Sequence, residues 1–315
     1  MSNYIEEKII VGSGSEFPLN GLLTTPNGGN TPYPAVIFVH GSGSSNMDGK
    51  TYNARPFKDF ARGLAKHNIA SIRYDKRSFA HPRKIAKALK TFTAKEEAIE
   101  DAIKAANILR CTPQIDSNRI FIAGHSLGGM LAPRIDEEGG NFAGLIILGG
   151  TPRRLEEVMK AQLEDDSLNT SKNLIGWLIT RQIKKMLPKL DNLYNMSDEE
   201  AMKIRTMGGI TALYYKDMGK KRVSEYLQNT TKPILVMHGE ADFHVSIEKD
   251  FEEYKRILQN HPAAVFKLYP GLNHVFMPSV CGDIKTPKEE YSKPQNVADY
   301  VISDIAEWIE ARGKN

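Results

Sequence analysis

The sequence predicts an α/β fold, a mostly parallel sheet of about eight strands with helices on both faces. Three observations carry that expectation. Short continuous apolar runs at 34–39, 144–150 and 233–237 have the composition of strands covered on both faces. Segments of helical period alternate with them, which implies parallel strands joined by right-handed crossovers. A chain of 315 residues, 41% of them hydrophobic, is long enough to enclose a large core.

Taken in order, 5–11 and 17–25 read as two strands around Gly12-Ser13-Gly14-Ser15, a hairpin turn signal. A surface loop at 26–30 leads into the strand at 34–39, which empties into the polar loop His40-Gly41-Ser42-Gly43-Ser44-Ser45. Helical spacing follows over 55–67, where Phe57, Phe60, Leu64 and Ala65 share a stripe. A strand at 70–74 ends at Asp75-Lys76-Arg77, and 95–110 is helical with Ala98, Ala102, Ala105 and Leu109 on its apolar side. The apolar run at 120–123 is a buried strand, followed by a helix over 127–138 that Pro133 should shorten or bend. After the strand at 144–150 the rhythm breaks. Residues 151–230 are charged, methionine-rich and helix-forming, with no good strand among them. Alternation then resumes: a strand at 233–237, a helix at 246–259, a strand at 264–269 and a closing helix at 295–312. The expected organisation is a core of 1–150 and 231–315, with 151–230 inserted as a helical lid above the strand ends.

Composition excludes several classes of function. A net charge of +4 with interspersed signs makes no nucleic-acid stripe. The densest basic stretch, 83–95, reads as a solvated loop or helix face. Cys111 and Cys281 lack metal-type spacing and are expected to be reduced. The N-terminus has no signal-peptide core, and no apolar run approaches the roughly 18 residues that span a bilayer. A cytoplasmic protein acting on a small molecule, without membrane or nucleic-acid partners, is expected; a homo-oligomer is left open.

The chemistry sits where the strand at 120–123 runs into Gly124-His125-Ser126-Leu127-Gly128, a G-x-S-x-G nucleophile elbow. Such a serine must project from a sharp strand-to-helix turn, and the glycines keep Cβ atoms out of a crowded place. Serine is a weak nucleophile until a base takes its proton, and the base needs an orienting acid. Sheets with this elbow follow the chain order nucleophile, acid, base. His40, His67 and His81 precede Ser126, and His125 beside it should point elsewhere. Of His238, His244, His261 and His274 downstream, His274 lies in the loop after the last strand, where an active site in such a sheet must lie, and is the expected base. Glu240, Asp242 and Asp283 compete as the acid; Asp283 follows His274 and breaks the order, so Asp242 is favoured. The oxyanion hole should combine the N–H of Leu127 with that of Ser42 in the loop after 34–39, His40 bracing that loop.

With these residues in hand the chain resembles the α/β-hydrolase superfamily, and more narrowly bacterial serine carboxylesterases of the dienelactone-hydrolase and prolyl-oligopeptidase-like branch. The resemblance rests on His40-Gly41-Ser42-Gly43, Tyr74-Asp75-Lys76-Arg77, Gly124-His125-Ser126-Leu127-Gly128-Gly129, Gly239-Glu240-Ala241-Asp242 and Gly271-Leu272-Asn273-His274. It implies a Ser126–His274–Asp242 triad, an acyl-enzyme intermediate, a small or medium acyl group on an ester substrate, and no metal or organic cofactor. Leu174, Ile175, Trp177, Leu178, Ile179, Leu213, Tyr214 and Tyr215 either line an acyl pocket or pack the insertion onto the core. An aminopeptidase, dipeptidyl-peptidase-like or acyltransferase activity would use the same triad. A peptidase would draw on Glu156, Glu157, Glu164, Asp165 or Asp166 to hold the substrate amine. A hydrolase fold that only binds a ligand is the remote alternative, and it predicts a missing triad member.

Overall fold

A computed structural model describes residues 3–164, 181–280 and 287–312. Its eight strands form one sheet: β1 (Tyr4–Val11), β2 (Leu19–Pro26), β3 (Tyr33–Val39), β4 (Ala70–Tyr74), β5 (Ile115–His125), β6 (Leu145–Leu148), β7 (Ile234–Gly239) and β8 (Ala264–Tyr269). They lie in the order β1-β2-β4-β3-β5-β6-β7-β8. The pairs β1–β2 and β2–β4 are antiparallel, and every pair from β4 onward is parallel. The apolar runs fall where continuous burial requires them: β3, β4, β6 and β7 are buried at every residue, whereas the edge strand β1 alternates.

Each sheet face has its own core. On one, α1 (Pro56–Lys66) and the closing α6 (Asp299–Glu310) bring Phe57, Phe60 and Leu64 against Val301, Ile302 and Ile305. Gly63 permits that contact, because a Cβ there would reach 2.6 Å from Ile302. On the other face, α2 (Glu100–Arg110) and the elbow helix α3 (Leu127–Ile135) pack with residues of the insertion. Pro133 lies in the last turn of α3, which passes at Asp136 into a π-helical turn with Gly139 at φ 117°. The helix expected at 127–138 is thus shortened as an α-helix, as an internal proline requires.

The insertion's described part carries α4 (Leu155–Glu164), α5 (Ala212–Gly219) and short turns between them. The basic stretch at 83–95, which reads in sequence as a solvated loop or helix face, begins on a helix, Pro82–Ala88, that follows a short one at Arg77–Ala80. Among the described residues no helix is long and apolar enough to cross a membrane.

Candidate active site

β5 delivers the chain at His125, and the next residue turns sharply. Ser126 has φ 55° and ψ −117°, a combination that side-chain-bearing residues seldom adopt and that costs on the order of 1–3 kcal/mol. Its flanking glycines are forced. A Cβ on Gly124 would overlap the Gly128 carbonyl, and one on Gly128 would overlap that of Val39. The strained turn is held by the Ser126 N–H donating to the Leu148 carbonyl at 2.9 Å, while the Ser126 carbonyl accepts from Met130 N–H at 3.1 Å. Leu127 opens α3, so its N–H is a first-turn donor with no acceptor inside the helix.

Asp242 and His274 come from the turns after β7 and β8, neighbours in the sheet. Asp242 Oδ2 lies 2.6 Å from His274 Nδ1. Its Oδ1 accepts the backbone N–H groups of His244 and Val245 at 2.7 and 3.0 Å. Burial of this carboxyl pushes its pKa up, but His274 beside it, by charge and hydrogen bond, wins and holds it at about 2. Glu240, the rival acid, is exposed, and Asp283 lies outside the described residues. Gly149, at φ 55°, is the floor beneath the pair: a Cβ there would stand 3.2 Å from His274 Nδ1 and 3.4 Å from Asp242 Oδ2.

Residues without a sequence signature hold the histidine loop. Buried Asn273 accepts from the N–H groups of Val275 and Met277, both at 3.1 Å, and donates to Glu290 Oε1 at 2.6 Å. Glu290 is itself buried, on a short helix (Pro287–Tyr291) close to the C-terminus. His125 departs from expectation. Instead of pointing elsewhere, its ring lies 4.5 Å from that of His274, and its Nε2 donates to the His274 carbonyl at 3.0 Å. Burial, with His274 close by, lowers its pKa to about 3, so the ring is neutral, and the carbonyl acceptor fixes the proton on Nε2. His238 bonds to the Val245 carbonyl at 3.2 Å and His261 to that of Thr230 at 3.0 Å, whereas His244 lies in the cleft with its ring 4.8 Å from that of His274.

On the opposite side of Ser126, the loop after β3 is built on His40. Its buried ring packs 4.9 Å from Phe57 and donates from Nε2 to the Asn46 carbonyl at 2.9 Å. Burial, reinforced by the Lys76 cation, holds its pKa at about 3, so a neutral brace is what the site contains. The Tyr74-Asp75-Lys76-Arg77 string supports the same loop. Asp75 Oδ1 accepts from Met47 N–H at 2.7 Å, and the Lys76 N–H donates to the Ser45 carbonyl at 3.0 Å. Arg77 turns inward to grip Asp101 with bonds of 2.6 and 2.7 Å.

These parts meet on one cleft of about 730 Å³, lined by Ser42, Ser126, Leu127 and His274 on the core side. Leu155, Val158 and Met159 of α4, with Ile210, Tyr214 and Tyr215, face them from the insertion. Tyr214 lies parallel to Phe92 at 6.2 Å, and it belongs both to the cleft wall and to the packed core. Leu174, Ile175, Trp177, Leu178 and Ile179 lie outside the described residues, as does Cys281; Cys111 is free and exposed.

A strained serine between strand and helix, with a histidine–carboxylate pair on the ends of two strands further along a mixed eight-stranded sheet, defines an α/β-hydrolase. Residues 31–278 match the family described as serine aminopeptidase, S33, and the chain belongs to that family. It is 33% identical over 305 residues to Esterase EstD of Thermotoga maritima, an alignment covering 96% of this chain and 67% of the relative. Similar solved folds include Est1E from Butyrivibrio proteoclasticus, with a TM-score of 0.58 and 16% identity over 97% of this chain and 98% of that one. A second is the esterase Pf2001 of Pyrococcus furiosus, at 0.59 and 15% over 98% and 91%. At those identities the two structures speak to the fold. The kinship with EstD makes the chain a carboxylic ester hydrolase.

Proposed function

We propose that the chain cleaves esters of small or medium acyl groups through a Ser126–His274–Asp242 triad and an acyl-enzyme intermediate. The observation that carries this reading is the 2.6 Å contact between Asp242 Oδ2 and His274 Nδ1, with His274 and the strained Ser126 on the same cleft. His274 Nε2 takes the Ser126 hydroxyl proton as Oγ bonds to the ester carbonyl carbon. Asp242 holds the imidazole in the required tautomer and stabilises the imidazolium. The carbonyl electron pair moves onto oxygen, where the N–H groups of Ser42 and Leu127 receive it. Collapse expels the alcohol with the proton from His274. Water then gives its proton to His274 and adds to the acyl carbon, and Ser126 leaves protonated as the acid is released.

The described part of residues 151–230 serves as the lid of this site. Leu155, Val158 and Met159 fall at helical spacing on one side of α4 and line the cleft, so an acyl chain would lie against them. Methionine suits such a wall, because an unbranched thioether adapts to several shapes.

The family description names a serine aminopeptidase, an activity that must hold a free amine. Two of the carboxylates suited to that task are otherwise engaged. Glu156 accepts from the Tyr194 hydroxyl, and Glu157 accepts from Arg154 N–H at 3.0 Å and pairs with Arg222 at 3.1 Å. Neither lines the cleft. The side chain of Glu164 and all of Asp165 and Asp166 lie outside the described residues. This favours esters over aminoacyl amides. Ser126→Ala should lower turnover of short-acyl nitrophenyl esters by about 10⁶-fold, as loss of a serine nucleophile does. Substantial hydrolysis by the purified, folded variant would sink the assignment, and a wild-type preference for aminoacyl amides would displace the esterase reading.

A further inference from the structure

We propose that Lys76 is a positioning residue that fixes and polarises the Gly41–Ser42 peptide, whose N–H is the oxyanion donor; the inference rests on the ester-hydrolase reading above. Lys76 is 3% exposed, and its Nζ donates to the Gly41 carbonyl at 2.7 Å. The same ammonium is ion-paired with Glu97, which sits on the turn Lys95–Ile99 and lines the cleft. Lys76 itself stands behind the cleft wall, outside the residues that line it.

The need for such an anchor follows from Gly41. A Cβ there would stand 3.0 Å from the Cβ of Ser126, tighter than an ordinary carbon contact, so glycine suits the place beside the nucleophile. Glycine also makes the backbone permissive, and Gly43 two residues on is already at φ 83°. A peptide flip in this segment would turn the Gly41 carbonyl, rather than the Ser42 N–H, toward the developing oxyanion. In a planar trans peptide the carbonyl and the N–H point in opposite directions. Tying the carbonyl to a buried ammonium therefore fixes the sense of the N–H. The bond is charge-assisted, about twice as strong as a neutral one, and it draws electron density off the carbonyl, which makes the N–H of the same amide a better donor.

A filler of this space would not need a charge. Burying an ammonium and a carboxylate costs enough that apolar residues of similar size often stabilise a fold equally well. The pair is explained by what the cation does to the carbonyl, with Glu97 as its counter-ion.

The test is binding of an alkyl trifluoromethyl ketone, whose Ser126 hemiketal places an oxyanion in the hole, read by inhibition and by ¹⁹F NMR beside steady-state kinetics. Lys76→Met should lower kcat about 10- to 100-fold, up to the effect of losing one oxyanion donor, with KM little changed. Affinity for the ketone should fall by the same factor. Lys76→Met/Glu97→Gln leaves no orphaned buried charge, so it keeps the comparison valid if the single variant misfolds, and the same loss is expected of it. A folded variant with wild-type kcat and ketone affinity would overturn the proposal, as would a loss of kcat without a matching loss of ketone affinity. If the wild-type protein forms no adduct, the ester-hydrolase reading falls and this inference with it; a wild-type adduct bound equally well by the variants removes the inference alone.

Discussion

The two halves of the cleft are held by different means. On the core side the proposed catalytic groups hang from strand ends and are fixed through backbone: Ser126 through the Leu148 carbonyl, Asp242 through the N–H groups of His244 and Val245. On the insertion side the wall is made of apolar side chains on helices that share the apolar core on that face of the sheet and are tied further to its helices and loops by side-chain tethers. Arg134 of α3 grips Asp217 of α5 through both carboxylate oxygens at 3.0 Å and the Asp217 carbonyl at 2.9 Å. Lys221 joins Glu137, and the Thr211 hydroxyl donates to the Lys90 carbonyl at 2.9 Å. Backbone anchoring fixes atoms to the tolerance that chemistry needs, whereas side-chain tethers set a wall whose shape can vary. A change on the core side should therefore appear in kcat, and a change on the insertion side in stability and in substrate preference.

The largest effect expected is Asp242→Asn. The side chain keeps its shape, but its amide would donate toward His274 Nδ1 and select the wrong tautomer; turnover should fall by about 10⁴-fold. Steady-state kinetics with short esters measure it, and thermal unfolding should show a folded protein. A variant within tenfold of wild type would mean that the 2.6 Å contact orients the loop without serving the chemistry.

How much of this contrast is legible in the sequence follows from the same physics. Strands such as β3 and β6 announce themselves because burial on both faces demands continuous apolar runs. Ser126, Asp242 and His274 can be singled out as candidates because the elbow glycines are sterically forced and the topology dictates chain order. Lys76–Glu97, Asn273–Glu290 and Arg77–Asp101 cannot. Each joins polar residues that are brought together by the fold alone, and a buried lysine looks in sequence like any exposed one. The place of His125 is hidden for a related reason: the His274 carbonyl that its ring meets belongs to a residue 149 positions later. Among its described residues the insertion adds no strand to the sheet that would impose a period, so its sequence discloses helices but not which of their faces meet the cleft.

A smaller effect, on the other side of the comparison, is expected of Arg134→Met. Arg134 is 3% exposed, and Asp217 and Glu138 raise its pKa further above the ordinary guanidinium value against the effect of burial. Removing it leaves the Asp217 carboxylate largely buried with Lys220 at 3.2 Å as its remaining cation. Loss of one partner from a buried pair costs about 3 kcal/mol. Urea unfolding should register that loss while kcat on a short ester stays within a few-fold of wild type. A large fall in kcat with stability unchanged would show that the insertion takes part in the chemistry.

The smallest effect sharpens the comparison most. Met159 is half-buried on α4 and lines the cleft four residues after Leu155, so the two side chains stack on one helical face. Met159→Ala would remove three heavy atoms from that face without touching Ser126, His274 or the oxyanion loop. If an acyl chain runs along this wall, the space released should admit longer chains. A methylene gained or lost in an apolar pocket is worth about 1–3 kcal/mol, so the ratio of kcat/KM for octanoyl over acetyl esters should rise about tenfold. The acetyl value itself should barely move, since the shortest acyl group never reaches α4. An unchanged ratio would place the acyl chain elsewhere and leave α4 facing the alcohol; a fall in the acetyl value would mean that α4 supports the catalytic residues and that the division between rigid chemistry and variable wall is drawn in the wrong place.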